Sequence, residues 1–477
     1  MSRPLWSHQV RAIRVAEVVP DLGLFMEMGT GKTRTLIEIV RRRYTAQSRL
    51  MKTIIFAPLI VCENWKQEFK MYSKINPLDV VVLLGSQKKR VKDMLYQVGD
   101  TLDGAKIIVT NYESCQMEDF FNLLLAWKPE ILVCDESQRI KNPSSLRAKK
   151  VAMLSDNTKH NYILTGTPIL NSPMDVYMQF RVLDRGETFG KNFFSFRAMY
   201  FEDKNAGMPK QKHFPKWEAR ADSYQGLQAK IKTKALRVLK KDCLDLPPLV
   251  RQVVHVPMST TQAKMYREMY NDYITFINDH RDEPRAVVAN LAVVKATKLQ
   301  QIVSGFVRDE HGVHHRIDDC PRLKVLSELL EDIATHSKVI VWSHYKENQR
   351  MVVEVCVKLG LGYAEIHGDI KDKEAQMKRF RTDPECRVMV ANQAAGGVGV
   401  NLVEAAYAIY YGKGFKLEDD LQSEARNYRG GSEVHEKVTR IDLVTPGSID
   451  ELVNESLANK QNVSETILGW KDSYVKS

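Results

Sequence analysis

Residues Met26–Thr33 form a glycine-containing segment with the side chains needed to bind a nucleoside triphosphate. Backbone N–H groups at Gly29 and Gly31 can wrap the phosphates, and Lys32 can reach the β- and γ-phosphates as a point charge. The Thr33 hydroxyl is a ligand type for Mg²⁺, and the helix that follows adds its dipole to the anion site. The predicted ATP-binding residues in this segment are Met28, Gly29, Thr30, Gly31, Lys32 and Thr33.

The segment departs from the strict phosphate-loop pattern at one position. The first glycine of that pattern is replaced by Met26, which follows a predicted turn. The alternative interpretation is a glycine-containing turn beside a lysine that has no role in binding. A helix predicted over Thr33–Val40 favours the phosphate loop, because such a loop must open directly into a helix.

Two adjacent carboxylates, Asp135 and Glu136, follow the apolar run Ile131–Cys134. They would lie at the carboxyl end of a strand, which is the edge where α/β sheets bind ligands. Asp135 can hold Mg²⁺ while Glu136 orients and deprotonates the attacking water. An acidic pair at a strand end more often belongs to a solvated turn. Here the pair follows Lys32 in the chain and comes directly after a predicted strand, which favours a catalytic role.

Two further pairs of side chains can assist this chemistry. The hydroxyls of Thr165 and Thr167 lie at the end of another apolar run, where the alternative is an ordinary strand-to-loop turn. Arg426 and Arg429 are three residues apart and are predicted to share one helical face. Arginines of this kind can stabilise a γ-phosphate, although a solvated basic face is the alternative.

The elements that must position these residues are apolar runs with strand character, which alternate with helical stretches in two parts of the chain. The runs are Thr53–Ala57, Lys106–Thr110, Ile131–Cys134 and Tyr162–Thr165, and later Lys338–Ser343, Arg387–Ala391, Ala406–Tyr410 and Ile441–Val444. Runs of this length and composition are typical of buried parallel strands. They predict two α/β lobes, residues 1–185 and 321–477, joined by a mainly helical connecting segment, residues 186–320.

Length and composition narrow the class of protein. A chain of 477 residues is too long for one ordinary core, and its seven cysteines include no Cys-x-x-Cys pair. Apolar runs are shorter than the ~18 residues that a membrane span needs. These features predict a globular protein of a reducing cytoplasm, or of the nucleus in a eukaryote. The net charge of +11 favours a polyanionic partner.

The ordered set of motifs resembles superfamily-two helicase-like ATPases, and Swi/Snf-type DNA translocases in particular. Beyond Gly29–Thr33, the motifs are Phe56–Pro58 with Asn64 and Trp65, Thr110–Glu113, Asp135–Asn142, Leu164–Pro168 and Ala395–Asn401. Two segments, Arg139–Asn142 and Leu236–Pro248, are typical of the Swi/Snf type and not of strand-separating DEAD-box helicases. The resemblance covers nearly the whole chain and implies two RecA-like parallel-sheet lobes with a helical insertion, in a compact form without accessory domains.

The resemblance also implies roles for particular residues. Gln9 would contact adenine, Gly399 would join the ATP-binding residues, and Thr33 and Asp135 would bind Mg²⁺. The catalytic residues implied are Lys32, Asp135, Glu136, Arg426 and Arg429. The residues implied to couple the nucleotide site to DNA are Gln138, Thr165 and Thr167. The implied DNA-binding residues are Pro58, Thr110, Asn111, Ser343, His344, His367, Gly368, Gln393 and Gly396.

Several positions depart from the family pattern. The histidine expected after the acidic pair is Gln138, which places the coupling of nucleotide and DNA sites in doubt more than hydrolysis. In the last motif the expected aspartate, histidine and glutamine are Ala425, Tyr428 and Ser432. The two arginines remain, so turnover is still expected.

The sequence therefore predicts an ATP- and Mg²⁺-dependent translocase on double-stranded DNA that hydrolyses ATP without necessarily separating strands. One alternative is a helicase that separates DNA or RNA strands, and another is an ATP-gated nucleic-acid clamp with little turnover. Cutting or remodelling would need a partner nuclease or nucleoprotein, and no membrane partner is expected.

Histidines and a cysteine cluster at His311, His314, His315 and Cys320. A structural zinc site usually has two well-spaced pairs of ligands, which this segment lacks. The sequence therefore predicts no structural zinc here, and the family resemblance implies a connecting hairpin between the helical insertion and the second lobe.

Overall fold

The computed structural model of the chain describes residues 4–98, 104–170, 172–206, 215–220, 223–243, 246–279, 294, 296–396 and 400–468. The chain divides into two compact units. The first includes Met1–Asp203 and Trp217–Asp245, and the second includes Leu246–Asn459.

The first unit contains a seven-stranded sheet in which every described pair of neighbouring strands is parallel. The strands of this unit are β1 (Leu22–Met26), β2 (Thr53–Ala57), β3 (Val80–Val82), β4 (Ile107–Asn111), β5 (Ile131–Asp135), β6 (His160–Thr165), β7 (Phe201–Asp203), β8 (Trp217–Ala219) and β9 (Ala235–Val238). The sheet has the order β3-β4-β2-β5-β6-β1-β9, while β7 and β8 form a separate antiparallel pair. Strands β1, β2, β4, β5 and β6 therefore end at the same edge of the sheet.

Helices cover both faces of this sheet. They are α1 (Ser7–Val18), α2 (Lys32–Gln47), α3 (Cys62–Tyr72), α4 (Gln87–Gln97), α5 (Glu118–Trp127), α6 (Leu146–Ser155), α7 (Val176–Asp184), α8 (Phe193–Tyr200) and α9 (Ser223–Lys234). In β2, Ile54 and Phe56 pack into one hydrophobic core, and Ile55 and Ala57 pack into the other. A strand buried on both faces must be continuously apolar, which explains why these runs were recognisable in the sequence.

The second unit has its own six-stranded parallel sheet, in the order β10-β17-β16-β13-β15-β14. Strands of this unit are β10 (Leu249–His255), β11 (Phe306–Arg308), β12 (His314–Arg316), β13 (Lys338–Ser343), β14 (Gly362–Ile366), β15 (Cys386–Asn392), β16 (Ala405–Tyr410) and β17 (Val438–Val444). The helices from residue 260 onward are α10 (Thr260–Asp279), α11 (Pro321–Ile333), α12 (Lys346–Lys358), α13 (Lys373–Thr382), α14 (Gln393–Gly396), α15 (Leu417–Glu424) and α16 (Ile449–Leu468). Strands β11 and β12 form a short antiparallel hairpin.

Two parallel-sheet units confirm the predicted α/β fold class, and all eight strands expected from the apolar runs are present within a few residues. The expected connecting segment, residues 186–320, contains helices α8, α9 and α10 but also six strands. Two of them, β11 and β12, form the hairpin expected at the histidine-rich segment, and the sequence did not indicate the other four. Of these, β9 joins the first sheet and β10 the second. Among the described residues, no helix combines the length and apolar character required to cross a bilayer.

Candidate functional site

The glycine-containing segment connects β1 directly to α2. The prediction that a turn precedes this segment was wrong, because Met26 is the fully buried last residue of a strand. Gly29 and Gly31 have φ angles of 86° and 81°, in the left-handed region that favours glycine. A Cβ at Gly31 would lie 2.3 Å from Gln9 Nε2, so a larger residue would also clash. This strand, loop and helix arrangement is that of a phosphate-binding loop.

Hydrogen bonds within the loop hold its polar side chains. Lys32 Nζ donates to the carbonyl oxygen of Met26 at 2.9 Å, and the Thr30 hydroxyl donates to the carbonyl of Glu27 at 2.7 Å. Thr33 and Met28 are half-buried. The ammonium group of Lys32 therefore lies over the start of its own loop, where an anion bound by the loop backbone would also lie.

Helix α1 packs its first turn against this loop. Gln9 Nε2 donates to the carbonyl of Gly31 at 3.2 Å, and Gln9 Oε1 accepts from the N–H of Trp6 at 2.9 Å. His8 Nε2 lies 2.8 Å from the carbonyl of Thr30 and must be the donor, because a carbonyl can only accept. Burial lowers the pKa of His8, although its bond to Thr30 opposes that effect. The sequence pointed to Gln9 at this site but missed His8, which has no local signal.

Asp135 is the last residue of β5 and is buried. Its Oδ2 accepts a hydrogen bond from Trp65 Nε1 at 3.0 Å, and its backbone carbonyl accepts one from the Tyr112 hydroxyl at 2.7 Å. Burial raises the pKa of Asp135, the charge of Glu136 raises it further, and Lys32 lowers it. The predicted acidic pair and the predicted loop lysine are therefore close enough to interact electrostatically.

Glu136 begins a continuous chain of hydrogen bonds to the loop after β6. Gln138 Nε2 donates to Glu136 Oε2 at 2.8 Å, and the Thr165 hydroxyl donates to Gln138 Oε1 at 2.6 Å. The N–H of Thr167 then donates to the Thr165 hydroxyl at 2.9 Å. Glu136 itself has left-handed backbone angles, φ 53° and ψ 57°, which are uncommon for a residue other than glycine. The structure thus joins all three predicted coupling residues to the predicted catalytic carboxylate.

In the second unit, Arg426 and Arg429 do not share a helical face as predicted. Helix α15 ends at Glu424, and both arginines lie in the turns that follow it. Arg426 is 7% exposed, and its guanidinium donates to the carbonyls of Gln422 and Val400, each at 3.0 Å. The helix cannot continue because this segment bonds instead to the chain at residues 400–402. Arg429 is half-buried.

Predicted DNA-binding residues lie at or just after the carboxyl ends of strands in both units. Gly368 is exposed, whereas His344 and His367 are half-buried. Burial lowers the pKa of His344. Further residues of the set are buried: Pro58, Thr110, Asn111, Ser343 and Gln393. Gly396 ends helix α14, and Gly399 lies outside the described residues.

Thr110 requires a correction. It is fully buried, and its hydroxyl donates to the carbonyl of Leu83 at 2.8 Å and accepts from Arg90 at 2.7 Å. A DNA phosphate cannot reach this group, so we remove the Thr110 side chain from the DNA-binding residues. Its role is to join the end of β4 to the loop after β3.

The histidine-rich segment forms the β11–β12 hairpin, as the family resemblance implied. His314 Nδ1 lies 3.2 Å from Glu347, His315 Nε2 lies 2.8 Å from Asp309, and Cys320 is buried. Within the described part of the chain, no group of three or more His, Cys, Asp or Glu side chains is arranged to hold a metal ion.

Comparison with known proteins gives two family matches. Residues 19–307 match the SNF2-related domain, and residues 321–431 match the helicase conserved C-terminal domain. The chain is 24% identical over 471 residues to chromodomain-helicase-DNA-binding protein 7 of Gallus gallus, covering 93% of this chain and 15% of that protein. It is 25% identical over 448 residues to chromodomain-helicase-DNA-binding protein 1-like of Mus musculus, covering 93% of this chain and 47% of that protein.

A solved structure is similar over nearly all of the chain. The Sulfolobus solfataricus SWI2/SNF2 ATPase core in complex with dsDNA has 21% sequence identity and a TM-score of 0.44, covering 98% of this chain and 93% of that one. The chain spans less than half the length of the two curated relatives named above.

Proposed function

This chain belongs to the SNF2-related family of helicase-like ATPases, and we propose from that premise that it is a DNA-stimulated ATPase that translocates on double-stranded DNA without necessarily separating the strands. The observation that carries the proposal is the hydrogen-bond chain from Glu136 through Gln138 to Thr165 and Thr167. It connects the carboxylate proposed to activate water to a loop at the sheet edge where the proposed DNA-binding residues of this unit lie.

The residues around the phosphate-binding loop fit ATP with Mg²⁺. The left-handed glycines leave the loop backbone open to phosphate, and Lys32 is the nearby cation. Thr33 and Asp135 offer a hydroxyl and a carboxylate, which are the hard oxygen ligands that Mg²⁺ prefers. Burial and the neighbouring charge of Glu136 raise the pKa of Asp135, and the ammonium group of Lys32 lowers it. When bound there, Mg²⁺ would neutralise the charge of the phosphates.

The residues of this site then have separate roles in hydrolysis. Lys32 binds the β- and γ-phosphates, and Glu136 orients the attacking water and accepts its proton. Gln138 fixes the Glu136 carboxylate by donating to Oε2, so the glutamine found in place of the family's histidine still makes the connection. We keep Arg429 as the residue proposed to act on the γ-phosphate, and we assign Arg426 to holding the segment at residues 400–402.

Double-stranded DNA is the proposed partner. The net charge of +11 favours a polyanion, and the names of the relatives above include DNA binding. The proposed DNA-binding residues are now Pro58, Asn111, Ser343, His344, His367, Gly368, Gln393 and Gly396. Gly368 is exposed and His344 and His367 are half-buried, so these three are the members of the set that are most open to DNA. No feature of the described residues identifies the predicted partner nuclease or nucleoprotein, so we do not propose one.

The test is the rate of phosphate release with duplex DNA, single-stranded DNA and RNA at equal nucleotide concentration. Duplex DNA should stimulate the rate most, and a Lys32→Ala variant should show none of this activity. Displacement of the third strand from a DNA triplex should require ATP if the protein translocates. Strong unwinding of a tailed duplex with no stimulation by blunt duplex would favour a strand-separating helicase. Negligible release with saturating duplex would favour an ATP-gated clamp.

A further inference from the structure

Trp65 lies on α3, far from the phosphate-binding loop in sequence, and is fully buried. Its indole N–H, the only hydrogen-bond donor of this side chain, points to Asp135 Oδ2 at 3.0 Å. A buried tryptophan usually satisfies this donor with whichever acceptor lies nearby, commonly a backbone carbonyl. Here the acceptor is the side chain proposed to bind Mg²⁺.

We propose that Trp65 is a positioning residue that orients the Asp135 carboxylate for Mg²⁺ and connects it to the DNA-contacting segment at Pro58. This inference rests on the proposed function and adds the means by which DNA binding reaches the metal ligand. Trp65 acts through Asp135 and is not itself a catalytic residue.

The orientation of Asp135 depends on contacts at both of its ends. The Tyr112 hydroxyl holds the backbone carbonyl, and Trp65 holds Oδ2 of the carboxylate. The backbone N–H of Glu136 also bonds to this carboxylate, so its orientation is fixed from more than one side. Partners that orient a metal ligand in this way typically change metal affinity or activity about 10- to 100-fold when they are removed. A loss in this range is therefore expected when the indole N–H is removed.

The connection to Pro58 is short and continuous. The N–H of Val61 donates to the carbonyl of Pro58 at 2.8 Å, and the Cys62 thiol that opens α3 lies 3.5 Å from the same carbonyl. Trp65 follows within the first turns of this helix. A displacement of the Pro58 segment by DNA would therefore move the indole. Because coupling between two binding sites is reciprocal, Mg²⁺-dependent nucleotide binding should in turn strengthen DNA binding.

The test compares Trp65→Phe with Trp127→Phe. Phenylalanine keeps the aromatic ring and removes the donor, and Trp127 is a buried tryptophan, 5% exposed, in the other hydrophobic core of this sheet. The measurement is the Mg²⁺ concentration that gives half-maximal binding of a fluorescent non-hydrolysable ATP analogue, with and without duplex DNA.

We expect Trp65→Phe to raise the Mg²⁺ concentration for half-maximal binding about 10- to 100-fold. In this variant, that concentration should no longer depend on duplex DNA. Trp127→Phe should require the same Mg²⁺ concentration as the wild type. In a protein that already carries Asp135→Asn, adding Trp65→Phe should not change the Mg²⁺ dependence of analogue binding further. Equal Mg²⁺ dependence in the two phenylalanine variants would overturn the inference. A wild-type protein without duplex-stimulated phosphate release would instead overturn the proposed function, so the two failures are distinguishable.

A second measurement does not depend on folding of the Trp65 variant. The chain has six tryptophans, which can be labelled as 5-fluorotryptophan in the wild-type protein. One ¹⁹F resonance should shift both on addition of Mg²⁺ with the ATP analogue and on Asp135→Asn substitution. The absence of a resonance that responds to both changes contradicts the proposal.

Discussion

Arg440 on β17 is a buried cation surrounded by carboxylates, and replacing it with methionine tests how the second unit holds helix α15. The guanidinium donates to Asp420 at 2.8 Å and to Glu424 and Asp442 at 3.0 Å each. It also lies 3.9 Å from the centre of the Tyr410 ring. Arg440 is 4% exposed, so methionine would retain most of the volume while removing the charge.

The loss of stability in Arg440→Met depends on the carboxylates that remain buried without a cation. Removing one partner of a buried ion pair destabilises a protein by about 3–5 kcal/mol, because the remaining charge is buried without compensation. For a domain of roughly 150–250 residues, each kcal/mol changes the Tm by about 2–4 °C. We therefore expect the melting transition of the second unit to fall by roughly 6–20 °C.

Arg251→Met provides the matched control. Arg251 also pairs with Glu424, at 2.8 Å, but its side chain is 60% exposed. An exposed pair contributes only about 0–1 kcal/mol because solvent screens the charges. Differential scanning calorimetry of both variants and the wild type, at equal concentration and salt, would separate the two cases. A Tm for Arg440→Met within 2 °C of that for Arg251→Met would correspond to a difference in stability on the order of 1 kcal/mol. Such a result would mean that Arg440 and its carboxylate partners do not hold helix α15.

The difference in Tm between the wild type and Arg440→Met should depend on pH, and the pKa of Asp442 gives the direction. Burial by itself would raise the pKa of Asp442, but the charges of Arg440 and Lys413 outweigh burial and leave the pKa below the ordinary value of 3.8. A lowered pKa means that the stabilisation is complete above pH ~4 and is lost as the pH falls through the folded-state pKa. The difference in Tm between wild type and Arg440→Met should therefore narrow in acid, and a constant difference down to pH 3 contradicts this assignment.

Three other predictions concern the nucleotide and DNA sites. Lys32→Ala should abolish ATP binding and hydrolysis, whereas Glu136→Gln should bind ATP normally and lose at least about 100-fold in phosphate release; near-normal release would remove Glu136 as the base. Arg429→Ala should lower kcat with a smaller fall in Tm than Arg426→Ala causes, and the reverse pattern would exchange the two assigned roles. Duplex binding measured by fluorescence anisotropy should weaken linearly on a log–log plot against salt, and a flat plot would argue against phosphate contacts.

The sequence identified the parts of the fold and site that are determined by residues close together in the chain. Strands buried on both faces must be apolar throughout, so their runs are visible without a structure. Strands β9 and β10 were not predicted because they carry charged and polar residues such as Arg237, Arg251 and Gln252. The helical face expected for Arg426 and Arg429 was wrong, because contacts to residues 400–402 replace helical continuation.

The phosphate-binding loop could be recognised from the sequence because the requirement for glycine is local. The backbone must adopt positive φ at Gly29 and Gly31, and only residues close in the chain take part. The same holds for the acidic pair, which follows its strand directly.

Only the tertiary structure decided which distant side chains meet these residues. Trp65 reaches Asp135 across 70 positions of the chain, and Thr165 reaches Gln138 across 27. Both contacts exist because β5 lies between β2 and β6 in the sheet, so the segments after these strands meet at one edge. Strand order depends on how the whole unit packs, and no local pattern of residues encodes it.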